Sequence, residues 1–130
     1  MGDYRTPLGR ARGMGSAKDG VGRFIAERVT SAALVILVIW ALASALILAR
    51  GGYAGAVMWL DSPVNTALLV LLAVVGFYHM QMGMAVIVED YIHRHLTKTV
   101  LLLANAFVCW GGMALTIICV LKVALLRGGQ

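Results

Sequence analysis

Charge is scarce in this 130-residue chain. Asp, Glu, Lys and Arg make up 13% of it, where a soluble domain carries about 25%. Hydrophobic residues make up 61%. So little polar surface cannot cover a water-soluble globule, and the bilayer is the natural solvent. The scarcity is also uneven: Val29–Ala49, Thr66–Val88 and Val100–Leu121 hold no charge at all. About 20 helical residues cross the hydrocarbon core of a membrane, and a helix satisfies the backbone hydrogen bonds that lipid cannot. The pattern therefore predicts an all-α integral membrane fold, a three-helix transmembrane bundle. Its helices are expected at about 29–49, 66–91 and 99–122, within a domain 29–125. A cytoplasmic N-terminal arm, residues 1–28, precedes it, and a periplasmic tail, 126–130, follows.

Cysteine is equally sparse. Cys109 and Cys119 both fall in the third span, ten residues apart, which on one helix is about 15 Å, beyond disulfide reach. They read as small apolar packing residues. Gly13, Gly15 and Gly20 lack the spacing and the preceding strand of a dinucleotide loop. The first 28 residues lack the short apolar core and A-x-A site of a secretory signal, so the first span is expected to act as an uncleaved anchor. No extramembrane segment is long enough to hold a flavin or an iron–sulfur cluster.

The net charge of +5 does not describe a nucleic-acid binder, because the basic residues mark the membrane edges. Arg5, Arg10, Arg12, Lys18, Arg23 and Arg28 precede the first span, and Arg94 and Lys98 follow the second. The other side has only Arg50, Lys122 and Arg127. The positive-inside rule then puts the N-terminus and the second loop in the cytoplasm and the C-terminus outside.

Helical pattern begins near Val21. Thr30 and Ser31, early in the first span, can bond backbone carbonyls or a neighbouring helix. Arg50-Gly51-Gly52 ends that span, with glycine suited to a C-terminal cap. An external loop is expected over about 51–65, with Tyr53 and Trp59 at the lipid headgroups. Asp61 or Ser62 before Pro63 marks the start of the second span. The second loop, about 92–98, carries His93, Arg94, His95 and Lys98. It is short, which makes the second and third spans antiparallel neighbours.

The informative segment is GFYHMQMGMAVIVEDYIHRH, residues 76–95. His79 lies deep in an apolar span, where an ionisable side chain is costly and marks a functional site; the alternative is a histidine bonded to a neighbouring helix. At about 100° per residue, Asp90 falls about 20° from His79 and about 16 Å nearer the cytoplasm. Gly83 and Val86 lie on the stripe between them, and Gly76 lies just before His79. Glycines beside a buried histidine let a flat macrocycle approach the backbone, or equally let two helices pack closely. A low-spin b-type haem commonly takes two imidazoles. Only His79 is deep, so a second ligand would come from another polypeptide.

Asp90-Tyr91, at the cytoplasmic end of the second span, combines a hydrogen-bond donor with a carboxylate proton relay. Quinone reduction needs both. The alternative is an interfacial charge, with Glu89, beside a belt aromatic.

The motif as a whole, His79 followed eleven residues later by Asp90-Tyr91-Ile92-His93, resembles the small cytochrome b anchor subunit of succinate dehydrogenase, respiratory complex II, of alphaproteobacterial type. The stretch Phe24-Ile-Ala-Glu-Arg28-Val-Thr is similar to that family's approach to its first helix. Gly22-Arg23 departs from it, because many members carry bulkier aromatic or histidine residues there. The resemblance implies that His79 is an axial ligand of haem b, shared with a larger anchor subunit. It implies that Gly83 and Gly76 lie in the haem environment and that Arg28 sits near the propionates. It also implies that Tyr91 and Asp90 help form the ubiquinone site. The expected partners are the larger anchor, an iron–sulfur subunit, a flavoprotein subunit and membrane lipid. The expected location is the bacterial inner membrane, and the chain is expected to have no activity alone. Two other readings remain at this level: the anchor of a quinol:fumarate reductase, and a cofactor-free transporter or assembly factor.

Overall fold

The computed structural model describes residues 6–13 and 20–127. Parts of the expected arm, 1–5 and 14–19, and residues 128–130 of the expected tail lie outside the described residues. The described chain is helical with no strand. A short α1, Pro7–Arg12, starts where the Thr6 hydroxyl accepts from the Gly9 amide at 3.0 Å and ends at Gly13. Then come α2, Gly20–Leu60, α3, Pro63–Tyr91, and α4, His95–Arg127. These three are long and apolar enough to cross a membrane.

All three run beyond the charge-free stretches. Charged residues at a membrane edge still propagate a helix into the headgroup layer, because the backbone ladder does not depend on side-chain polarity. The helical pattern expected near Val21 starts at Gly20. Pro63 occupies the first turn of α3, with Ser62 extended before it, because proline lacks the amide that the first turn leaves unpaired anyway. Only residues 92–94 separate α3 from α4.

One expectation is corrected. The segment after Gly52 is not an irregular loop, since helix continues to Leu60 across a kink at Gly52 (φ 58°, ψ −160°). This left-handed backbone is open to glycine at little cost, which is why the turn falls there. Residues 53–60 fold back against the part of α2 before the kink. Trp59 stacks on Trp40, with ring centroids 5.5 Å apart and planes at 29°. An aromatic pair gains about 0.5–1.5 kcal/mol beyond its buried area. Ser44 and Val57 are buried.

The α3 helix packs against both α2 and α4, which scarcely meet each other. The α3–α4 contact is close. A Cβ at Gly112 would lie 2.8 Å from the Phe77 ring, so glycine makes room for that ring. The Asn105 amide donates to the Gln81 carbonyl at 2.9 Å, and Cys109 bonds to Asn105 from one turn on. Cys109 is buried as a packing residue, whereas Cys119 faces outward. Little else is covered. In the most apolar window of each span, at most 11% of residues are buried within the chain. Helices apolar all round need lipid or other subunits on their free faces.

Candidate functional site

Thr30 on α2 and His79 on α3 meet between these antiparallel helices. The Thr30 Oγ1 to His79 Nδ1 distance is 2.9 Å. The same hydroxyl oxygen lies 2.8 Å from the Ala26 carbonyl and 3.1 Å from that of Glu27. Thr30 therefore meets both backbone carbonyls and the neighbouring helix, where one or the other was expected. Ser31 turns its hydroxyl back onto the Glu27 carbonyl at 2.8 Å, which leaves its outer face apolar.

Beyond the contact with Thr30, His79 borders an open groove with Ser31, Leu34, Val35, Val38 and Ile39. The α2 residues in this set recur every three or four positions and form one stripe. Arg28 precedes Ser31 by three residues and heads that stripe. It is exposed, and its guanidinium lies 5.1 Å from the centre of the Phe24 ring. On α3, the two glycines differ. A Cβ at Gly76 would touch Leu34 at 4.0 Å, so Gly76 faces α2. A Cβ at Gly83, one turn beyond His79, would meet nothing within 4 Å. Close packing inside this chain therefore does not explain Gly83.

A second cluster forms where α2 begins, α3 ends and α4 begins. Arg23 bonds both Glu89 oxygens, at 2.9 and 3.2 Å. The Lys98 ammonium donates to the Glu89 backbone carbonyl at 2.9 Å. Glu89 is thus tied to α2 and α4, while its neighbour Asp90 is exposed with no ion pair among the described residues. Tyr91, the last residue of α3, is 76% exposed. The two positions read from sequence as a quinone site stand open at this end of the bundle. His93 and His95 are exposed in and beside the short turn and do not approach His79.

A bond from Thr30, or from His79, to a neighbouring helix was open in the sequence, but the pairing Thr30–His79 and the pair Arg23–Glu89 were not foreseen. Both follow from antiparallel register. Arg23 lies seven residues before Thr30 and Glu89 ten after His79, so once one pair meets, the other is roughly level.

Among the described residues, no group of three or more His, Cys, Asp or Glu gathers to hold a metal ion. A lone deep imidazole suits a metal whose other ligands arrive with a prosthetic group. Its apolar groove and the clearance at Gly83 fit a flat macrocycle, with Arg28 at one end as a partner for acidic substituents.

The family model described as "Succinate dehydrogenase/Fumarate reductase transmembrane subunit" matches residues 2–119. The chain belongs to this family. Similar proteins include the "Succinate dehydrogenase hydrophobic membrane anchor subunit" of Rickettsia conorii, 29% identical over 82% of this chain and 86% of that one. The protein of the same name from Rickettsia bellii is 30% identical over 78% and 82%. No solved structure matches the chain. Family membership and the three apolar helices make this a multi-pass membrane anchor.

Proposed function

We propose that this chain is the haem-b-binding anchor of a succinate:ubiquinone oxidoreductase and contributes to its ubiquinone-reduction site. The observation that carries the reading is the setting of His79: a single deep imidazole, held at Nδ1 by Thr30 and bordering an apolar groove. Haem b, when bound, supplies a one-electron carrier within the membrane. His79 would hold its iron through Nε2, and a larger anchor subunit would supply a further ligand. Gly83, with open space on its free side, would leave room for the ring system, and Arg28 would neutralise the propionates.

Succinate is oxidised at a flavin in a soluble partner, and two electrons pass through iron–sulfur clusters to ubiquinone, which takes up two protons. Tyr91 donates a hydrogen bond to one quinone carbonyl, and Asp90 relays a proton or orients a partner cation. The ion pair of Arg23 with Glu89 and the Lys98 contact fix the end of α3 on which both stand. This end faces the cytoplasm and the soluble subunits, in keeping with the basic residues gathered there.

The family also contains fumarate reductase anchors, but the names of the similar proteins favour the succinate-oxidising direction. Purification through a tag on this chain tests the reading. The expected product is a complex with a b-type spectrum and succinate:quinone activity. A haem-free chain that brings down no succinate-oxidising activity would contradict it and favour a transporter or assembly factor.

A further inference from the structure

The hydroxyl of Thr30 has one proton and three neighbours. Two are backbone carbonyl oxygens, of Ala26 at 2.8 Å and Glu27 at 3.1 Å. The third is His79 Nδ1 at 2.9 Å. Carbonyl oxygens only accept, so the short approach to Ala26 requires the hydroxyl proton to point there. Oγ1 then offers lone pairs to the imidazole. A second lone pair on Nδ1 at 2.9 Å would be repelled, so the ring must carry its proton on Nδ1.

From this we infer that Thr30 is a positioning residue, fixing His79 as the Nδ1–H tautomer with its Nε2 lone pair unshared. The inference rests on the haem reading above and deepens it. A metal-binding imidazole needs a neutral ring with one nitrogen free, and the bond made by the other nitrogen decides which one is free. An acceptor on Nδ1–H also makes the ring a stronger electron donor. That stabilises the ferric state of the bound iron and lowers its potential. The α2 backbone thereby acts on the iron ligand through one hydroxyl, and the Ala26 and Glu27 carbonyls set the direction of the bond. Ser31, beside Thr30, donates to the Glu27 carbonyl, and it is the Thr30 oxygen that lies 2.9 Å from Nδ1.

Three variants test this in the assembled complex. Thr30→Val keeps the branched shape and removes the acceptor. Thr30→Ser keeps the acceptor and removes the methyl. His79→Ala removes the ligand. The readouts are haem content, the haem midpoint potential and the low-spin ferric g-values. In Thr30→Val the potential is expected to rise and the g-values to change, with haem affinity falling roughly 10- to 100-fold. Thr30→Ser is expected to keep the potential and g-values of the parent. Loss of haem in Thr30→Val with retention in Thr30→Ser also supports the inference, since the variant that keeps the shape fails and the variant that keeps the acceptor does not. Parent-like potential and g-values in Thr30→Val overturn it, as does equal loss of haem in both variants, since Thr30→Ser keeps the acceptor. Full haem in His79→Ala instead overturns the underlying haem reading, so the two failures are distinguishable.

Discussion

Tyr91→Phe removes a hydroxyl and leaves the ring, at a position exposed at the end of α3. Among the described residues no contact depends on that oxygen, so assembly and haem content should be unchanged. Losing one hydrogen bond to a quinone oxygen costs about 1–3 kcal/mol, or roughly 5- to 150-fold in rate. Succinate:quinone activity is expected to fall by that much, while succinate oxidation by a dye that takes electrons upstream stays nearly normal. Intact quinone reduction would make Tyr91 an interface aromatic, and a parallel fall of both assays would make it an assembly residue. Asp90→Asn is expected to slow quinone reduction with haem retained, and normal quinone turnover in that variant would remove Asp90 from the proton path. At this scale the sequence was informative wherever cost marks a residue. His79 is conspicuous by its depth, and Asp90-Tyr91 by spacing from it. The Thr30–His79 and Arg23–Glu89 contacts were not legible, because they depend on the axial offset of two helices, which no residue type in one chain encodes.

The two glycines at helix surfaces separate packing from cofactor clearance. Gly112 accommodates the Phe77 ring, with a Cβ reaching 2.8 Å from it. Gly112→Leu should push α4 off α3, at an overpacking cost of about 1–3 kcal/mol, and lower the melting temperature of the complex. An unchanged melting temperature would mean that Phe77 swings away freely. Gly83 has open space on its free side, so Gly83→Leu should leave this chain's own packing untouched and expel haem from the assembled complex. Full haem occupancy in the Gly83→Leu complex would move the macrocycle to another face. The charge-free runs located all three spans because exclusion of charge by hydrocarbon is strong and local. They underestimated helix length, since helices continue past the hydrocarbon edge. The Gly52 kink was foreseeable from glycine at a helix end. The helix Tyr53–Leu60 was not, because the aromatic residues that suggest a headgroup belt are used to stack Trp59 on Trp40.

The whole chain covers few of its own residues. Leu37, Ser44, Val57, Met82, Val88 and Cys109 are the described residues that fall in the buried class, and the apolar faces of all three spans look outward. A chain of this kind is completed by its surroundings, lipid or other subunits. The proposed orientation rests on the basic residues and has a direct check. A reporter fused after Gln130 should read as periplasmic, and a cytoplasmic reading would put Asp90 and Tyr91 on the side away from the soluble subunits. The central claim is that this chain supplies an axial ligand to the haem of a respiratory complex. The reduced-minus-oxidised spectrum of the purified complex carrying His79→Ala tests it most directly. The account predicts that the b-type signal and the haem content both fall. A b-type spectrum and haem content equal to the parent's would contradict it.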